Sequence, residues 1–515
     1  MFVGAVPKWD IEADVVVLGA GVAGCVSAML AYDGDPSAKV VILEKQPERY
    51  TGGNSRAAGG SIYCPRDKEK LITFRKALDA PNVTPEPVVR AWAEEMVQLE
   101  GFLTKWAADS GLEFRLHGVS GFEFSNRVKV EATEQEKHDA VREHADLPGS
   151  DVVEFHSDIA PRPSGVWKTF HIQVQKRPIE MFYKTAASEL IQSETGEVRG
   201  VVATRDGRPF YVKARRGVCL CTGGFEANQQ MWLDFWGLPE VYTVGTPSNT
   251  GDGIKMLMKA GADLWHMRNP THLTGFRPGM KVPGFDSAFE RSGRLILKAK
   301  SWIDVAKDGR RFGDEGRAHD HHYKHKVNNT WFDNELSRVT PVHMIFDEKT
   351  RLADTLASES SGWNLAVENY EWSMDNSVEV EKGWIIKAGS IRELAGKIGL
   401  DPVTLESTVA TYNGYARDGR DPEFDRPAST MLPIDQAPYY AMRIVPYVST
   451  TQGGGRRNEK AQVLNPDGRP IPRLFEAGEL GSTYGNLFHY GSTLAEAISF
   501  GRIAGRNVVK ERPWE

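Results

Sequence analysis

Cysteine is scarce in this 515-residue chain, and the four present (Cys25, Cys64, Cys219, Cys221) form neither a Cys-x-x-Cys pair nor a metal-ligand spacing. That excludes a disulfide framework and an iron–sulfur cluster, and the lack of Cys-x-x-Cys-His excludes an attached haem. Reduced, mostly buried thiols in a cytoplasmic protein are the expectation. A dominant charge is also lacking: the formal net charge of −6 offers nothing that nucleic acid or an anionic membrane surface would bind. No apolar run approaches the ~18 residues a membrane-spanning helix needs. The opening Met-Phe-Val-Gly-Ala-Val-Pro-Lys-Trp-Asp has no basic stretch followed by an apolar one, so no secretory signal is expected. The length is more than one core usually supports, which predicts two or three structural units.

The most informative segment is Asp14-Val-Val-Val-Leu-Gly-Ala-Gly-Val-Ala-Gly24. It reads as a buried strand running into Gly19-x-Gly21-x-x-Gly24, and Val40-Val-Ile-Leu-Glu44 reads as a second strand ending in a carboxylate. Dinucleotide binding needs that order. Gly19 permits the tight turn, Gly21 lets backbone N–H groups approach a pyrophosphate, and Gly24 lets the helix pack on the strand. The helix N-terminus then faces the phosphates, and Glu44 accepts from a ribose diol.

Downstream, Thr51-Gly-Gly-Asn-Ser-Arg-Ala-Ala-Gly-Gly-Ser-Ile-Tyr63 reads as a loop able to lie flat against a planar group. Residues 86–110 predict a helix through Val89, Trp92, Met96, Leu99, Leu103 and Trp106, closed by Gly111. Residues 117–165 read as irregular and polar, either a solvated excursion or a flap. Strands over 198–220 lead to Thr222-Gly-Gly224, and Thr250-Gly-Asp-Gly opens a helix ending near Gly261. Residues 265–385 lose periodicity and suggest a separate, irregular domain. Ser390-Ile-Arg-Glu393 is a capping box for a helix ending at Gly399, and a second helix runs from Pro402 through Tyr415. Glycine-rich character returns at Gln452-Gly-Gly-Gly455, Ala477-Gly-Glu-Leu-Gly481 and Gly501–Gly505.

The fingerprint at Gly19–Glu44, the Gly-Gly-Asn-Ser loop, Thr222-Gly-Gly, Thr250-Gly-Asp-Gly253 and Glu476-Ala-Gly-Glu479 together resemble the fumarate reductase/succinate dehydrogenase flavoprotein superfamily, to which the 3-ketosteroid Δ1-dehydrogenases belong. The resemblance implies an α/β fold in which residues 1–263 and 439–515 form a Rossmann-like FAD domain and residues 264–438 an inserted α+β cap. It implies FAD contacts from Gly19, Gly21, Ala23, Gly24, Glu44, Lys45, Gly53, Asn54, Ser55, Gly59, Gly60, Thr222, Gly223, Gly224, Asp252, Glu479, Ser492 and Leu494. Covalent members carry a histidine where this chain has Asn54, so the FAD is expected to be noncovalent. Electrons then pass to or from an external quinone, dye or redox protein.

The departures bear on the substrate. Fumarate-type members clamp two carboxylates from four slots, which here read Asn269-Pro-Thr, Leu295–Lys298, Ser449-Thr-Thr-Gln-Gly-Gly and a position near Phe488. None supplies the charged group, and neutral residues cannot replace a bidentate Arg–carboxylate pair. The proton-transfer slot, counted from Arg311 in Asp308-Gly-Arg-Arg-Phe-Gly-Asp-Glu315, falls on His319, with Arg317 and Asp320 as neighbours. Histidine keeps acid–base chemistry available at neutral pH. A solvated loop, or a metal tract with His321, His322 and His325, stays open as an alternative. In Tyr484-Gly-Asn-Leu-Phe-His489-Tyr490-Gly491, the matching stretch of ketosteroid dehydrogenases polarises a substrate carbonyl. Gly491 falls on the family's N–H donor and Leu487 on its tyrosine, leaving His489 or Tyr490 as donor or as packing; Tyr63 is a weaker candidate. The expectation is an FAD-dependent enzyme on CH–CH groups, dehydrogenating a cyclic ketone. An enoate reductase acting on a monocarboxylate, with Arg268, Arg277, Arg291 or Arg294 as anchor, and an electron-transfer flavoprotein without turnover are the alternatives.

Overall fold

The structure is a computed structural model, and it describes residues 4, 8–118, 144–271, 274–285, 287–291, 300–315, 324–327, 330–333, 339–353, 355–357 and 370–515. Of these, residues 271, 274–278, 324–327 and 330–333 are described by backbone alone. His319 with the whole 316–323 stretch, residues 119–143 and the slot at 295–298 lie outside the described residues. The chain divides into two compact units. One comprises Met1–Met231, Ser248–Pro270 and Thr450–Glu515; the other comprises Trp232–Pro247 and Thr271–Ser449.

The first unit is built on a mixed sheet. Its strands are β1 (Ile11–Leu18), β2 (Val40–Leu43), β6 (Glu180–Phe182), β7 (Thr185–Gln192), β8 (Val198–Arg205), β9 (Arg208–Leu220), β10 (Gln462–Leu464) and β11 (Pro470–Glu476). They lie in the order β10-β11-β9-β1-β2-β6, with β8 pairing β9 and β7 pairing β8. β1 is central, parallel to both β2 and β9, with Val15–Leu18 opposite Val40–Leu43 and Gly217–Leu220. Burial on both faces explains its unbroken apolar run, which shows no alternation. Helix α1 (Val22–Gly34) follows the Gly19 turn. A methyl group on Gly24 would overlap the Gly19 carbonyl oxygen, so only glycine lets α1 leave the strand at this angle. The last helix, α5 (Ser492–Val508), packs against α1, with Ser27 Oγ donating to the Gly501 carbonyl at 3.1 Å.

A second, antiparallel sheet in the same unit contains β3 (Ile62–Tyr63), β4 (Glu113–Gly118) and β5 (Phe155–Ala160) in the order β3-β5-β4. Within the expected irregular stretch 117–165, this corrects the reading at 117–118 and 155–160; residues 119–143 lie outside the described residues. β5 lacks an apolar period because His156, Ser157 and Asp158 are buried polar groups; Ser157 Oγ donates to the Ile62 carbonyl of β3, and Asp158 binds Arg115 and His117 of β4. The expected helix over 86–110 is two helices, Glu86–Met96 and Leu99–Asp109; the break at Val97–Gln98 keeps Trp92, Met96, Leu99 and Leu103 all buried. Gly53–Ala57 is a short helix, α2, where an open loop was expected. The helix predicted after Thr250-Gly-Asp-Gly is α4 (Asp252–Lys259), and Lys68–Asp79 is α3.

The second unit is more regular than its weak periodicity implies. The strand Tyr439–Val448 pairs with Thr274–Met280, Val342–Asp347 and Ile385–Ala388, and Trp302–Val305 extends the sheet. Alternation sends Met344, Phe346, Tyr440 and Met442 into one core. Ile345, Ala441, Ile303 and Val305 join Leu394, Leu405 and Tyr412 in the other, from helices Ile391–Ile398 and Pro402–Asp418. Ser390 caps the first of these by accepting from Glu393 N–H at 3.1 Å, and Gly399 ends it, as the motif predicts.

Candidate functional site

The N-terminus of α1 is shaped for an anion. Gly21 is its N-cap, without a side-chain cap, and no acidic residue stands in its first turn. Ser55 Oγ of α2 accepts from Val22 N–H at 3.1 Å, which holds the small-residue segment beside this terminus. Glu44 is buried at the end of β2 and accepts from Ala20 N–H at 2.9 Å and Gln46 N–H at 2.8 Å. Burial pushes its carboxyl up, and these backbone donors partly offset it. Lys45 Nζ is already bonded to Asp252 at 2.8 Å and to Thr250 at 3.0 Å, which ties β2 to the turn before α4.

Asn54 joins two carboxylates. Its Nδ2 lies 2.5 Å from Glu226 Oε1 and 3.1 Å from Glu479 Oε2. Asn249 Nδ2 reaches the same pair at 2.7 and 3.4 Å. Sequence reasoning missed Glu226 and Asn249, although each adjoins a motif it used: Glu226 follows Thr222-Gly-Gly-Phe, and Asn249 precedes Thr250-Gly-Asp-Gly.

The 484–491 segment brings its candidates against β3 and β5. His489 is fully buried, with Nδ1 2.8 Å from the Tyr490 carbonyl oxygen. Its ring lies 5.4 Å from that of Tyr63 and 5.9 Å from that of His156, and the Tyr490 ring lies 5.7 Å from His156. Gly491 is the N-cap of α5 at φ +81°, and a methyl there would press on Tyr63 N. Burial, then the neighbouring Tyr484, raises the Tyr63 hydroxyl well above the usual phenol range, so it stays neutral. Leu487 is buried. His156 is another residue that the sequence reading missed, together with Asp158, which binds His117 Nε2 at 3.0 Å and Arg115 Nε at 2.7 Å.

Buried arginines near this segment are paired. Arg75 on α3 lies 3.5 Å from Asp79, donates to the Thr483 carbonyl and stacks 4.1 Å from the Tyr484 ring centre. Asp79 also accepts from Gly485 N–H at 3.0 Å and Thr84 Oγ1 at 2.6 Å. Arg457 donates to Glu496 at 2.8 Å, and Glu496 further accepts from Thr483 N–H at 2.7 Å and Ser482 Oγ at 2.5 Å. Asn269, in the first anchor slot, donates to the Tyr484 carbonyl at 2.7 Å.

In the second unit, Arg311 makes a bidentate pair with Glu315 at 2.8 and 2.7 Å and reaches Asp421 at 2.8 Å. The segment that leads to residue 316 is thus tied down by buried charge. Arg291 is buried against Asp304 at 2.6 Å, and Arg268 of the first unit is exposed. The backbone alone is described at Arg277, and Arg294 lies outside the described residues.

A parallel core with a glycine turn, an uncapped helix N-terminus and a buried acid at the end of the next strand defines a dinucleotide-binding protein. The chain belongs to the FAD binding domain family, which matches it over residues 14–493. It is 29% identical to an NADH:acrylate oxidoreductase of Vibrio harveyi over 96% of this chain, and spans 50% of that relative's length. It is 26% identical to a 3-oxosteroid 1-dehydrogenase of Mycolicibacterium smegmatis, covering 96% of this chain and 97% of that one. Among solved structures, the 3-ketosteroid Δ1-dehydrogenase of Sterolibacterium denitrificans shares the fold, with a TM-score of 0.69, 22% identity, and coverage of 97% and 99%. The chain binds FAD, and the residues fit it: the open α1 terminus suits a pyrophosphate and Glu44 a ribose. Thr222 Oγ1 at the end of β9 is buried with no partner among the described residues. No helix among the described residues is long and apolar enough to cross a membrane.

Proposed function

We propose that this chain is an FAD-dependent oxidoreductase that forms or reduces a carbon–carbon double bond next to a carbonyl, with α,β-dehydrogenation of a cyclic ketone as its reaction. The carrying observation is the character of the 484–491 segment: buried aromatic and neutral polar groups beside the α5 N-terminus, with nearby guanidinium groups already paired to Asp79 and Glu496. A ketone needs its oxygen held by neutral donors, whereas a dicarboxylate entering there would leave charge unpaired. In this reading Gly491 N–H, with His489 or Tyr490, polarises the carbonyl, and His319 moves the proton. Bound FAD supplies the hydride acceptor. The FAD is noncovalent, since Asn54 occupies the attachment slot, and acid or heat should release it intact. Residues 264–438 serve as the substrate cap, the electron acceptor is a quinone or redox protein, and the site of action is the cytoplasm.

The acrylate-reducing relative favours a second reading, an enoate reductase acting on a monocarboxylate. With Arg291 committed to Asp304, its anchor would come from Arg268, Arg277 or Arg294. Anaerobic flavin spectra against cyclic ketones, steroids, enoates and dicarboxylates separate these readings. At least one cyclic ketone should bleach the flavin, and succinate should not. His319→Phe should keep its flavin and lose turnover by ~10²–10⁴. Efficient turnover of fumarate or succinate refutes the proposal, and success with a monocarboxylic enoate alone promotes the second reading.

A further inference from the structure

Glu226 and Glu479 meet inside the FAD unit in an arrangement that two full negative charges do not favour. One amide nitrogen, Asn54 Nδ2, touches oxygens of both, so these oxygens lie within about two hydrogen-bond lengths of each other. Glu226 is fully buried; Glu479 and Asn54 keep a partly open face. The groups that hold the pair most strongly are neutral: Asn54, Asn249, the Gly224 N–H and Thr451 Oγ1, which donates to Glu226 at 3.0 Å. Charged side chains on the surrounding elements are turned to partners of their own. On α2, Arg56 donates to the Arg49 and Thr51 carbonyls. Between β2 and α4, Lys45 and Asp252 close on each other. At the end of β11, Glu476 lies beside Arg457, which donates to Glu496. Burial raises both carboxyls, and proximity to Glu226 raises Glu479 further.

We propose that Glu226 and Glu479 hold one proton between them, and that this shared proton makes FAD binding pH-dependent. With one proton the pair carries a single charge and offers both a donor and acceptors, which suits the hydroxyl groups of a polyol chain. Removing the proton places a second negative charge in the enclosure and leaves only acceptors, so the FAD-bound form favours the protonated pair. By linkage, FAD binding then draws in a proton wherever the free pair has lost it, and affinity falls as pH rises through the pair's upper titration.

The test is FAD titration into the full-length apoprotein from pH 6 to 9.5, with calorimetry in two buffers of different ionisation enthalpy to count protons. In the unmodified protein Kd should rise with a limiting slope of about tenfold per pH unit above the upper titration, with net proton uptake. Glu226→Gln replaces one member of the pair by a neutral amide and leaves Glu479 to carry the single charge without a proton; it should remove that slope and uptake. Infrared spectra of the apoprotein should show a protonated-carboxyl band that Glu226→Gln lacks, a readout that stands if binding by the variant is poor. Equal pH dependence in both proteins, or no such band in the unmodified protein, overturns the proposal.

Discussion

Two carboxylate groups buried in the FAD unit are held in opposite ways. Glu496 is surrounded by compensation: a guanidinium from Arg457, two hydroxyls and a backbone N–H. Glu226 and Glu479 are held chiefly by neutral amides and a hydroxyl; burial raises both carboxyls, and proximity to Glu226 raises Glu479 further. The first arrangement locks the 482–484 turn into place and leaves no charge for a ligand to answer. The second keeps an electrostatic demand that a ligand or a proton must meet. On the proposal above, the first cluster belongs to the scaffold and the second to the FAD-binding site.

The strongest way to break this contrast is Arg457→Leu. Removing one partner of a buried pair leaves Glu496 uncompensated, and a loss of ~3–5 kcal/mol in denaturant stability is expected. A loss below about 1 kcal/mol would mean that the neutral donors alone satisfy Glu496, and the two clusters would then differ only in degree.

Glu44→Ala tests the binding side. It removes a carboxylate placed for a ribose, and FAD affinity should fall by ~1–3 kcal/mol in titrations of the apoprotein. Unchanged affinity would mean that Glu44 serves only the Ala20 and Gln46 N–H groups it binds here.

Glu476 stands between the two types: Arg457 and the Gly455 N–H both favour its charge, yet burial outweighs them. Burial pushes its carboxyl up to about 8 from an ordinary 4.5. The folded chain then keeps a proton that the unfolded chain has released, so stability falls as pH rises from about 4.5 to about 8. Glu476→Gln should flatten melting temperature against pH and raise it by a few degrees at alkaline pH. An unaltered profile would place Glu476 with the compensated group.

The smallest effect is expected at the surface. Arg392 and Glu406 pair in solvent at 2.5 Å, and Arg392→Ala should cost no more than ~1 kcal/mol. A cost near that of Arg457→Leu would show that pairing, independent of burial, sets the scale.

Legibility in the sequence followed the same division between local stereochemistry and distant partnership. Gly24, Ser390 and Gly399 were readable because a turn or cap restricts the residue type at one position. Glu44 was readable because the motif fixes its distance from Gly19. β5 was not, since Ser157 and Asp158 are buried through bonds across a sheet, and no hydrophobic period records that. The break at Val97–Gln98 carries no glycine or proline to announce it. Glu226 and Asn249 adjoin recognised motifs, but their role depends on Asn54 and Glu479, which only the folded chain brings alongside.

The position of β11 has a consequence for how the protein is made. β11 closes the sheet by pairing in parallel with β9, yet it is synthesised long after it, once the whole second unit has been made. Until then Val218, Cys219 and Leu220 present an unpaired apolar edge, the kind of surface to which another nascent chain can add a strand. Folding of the FAD unit is therefore a race between the arrival of residues 470–476 and capture of that edge. Slow translation of the intervening stretch would lengthen the exposure, and aggregation during expression would depend on elongation rate as much as on the stability of the finished fold.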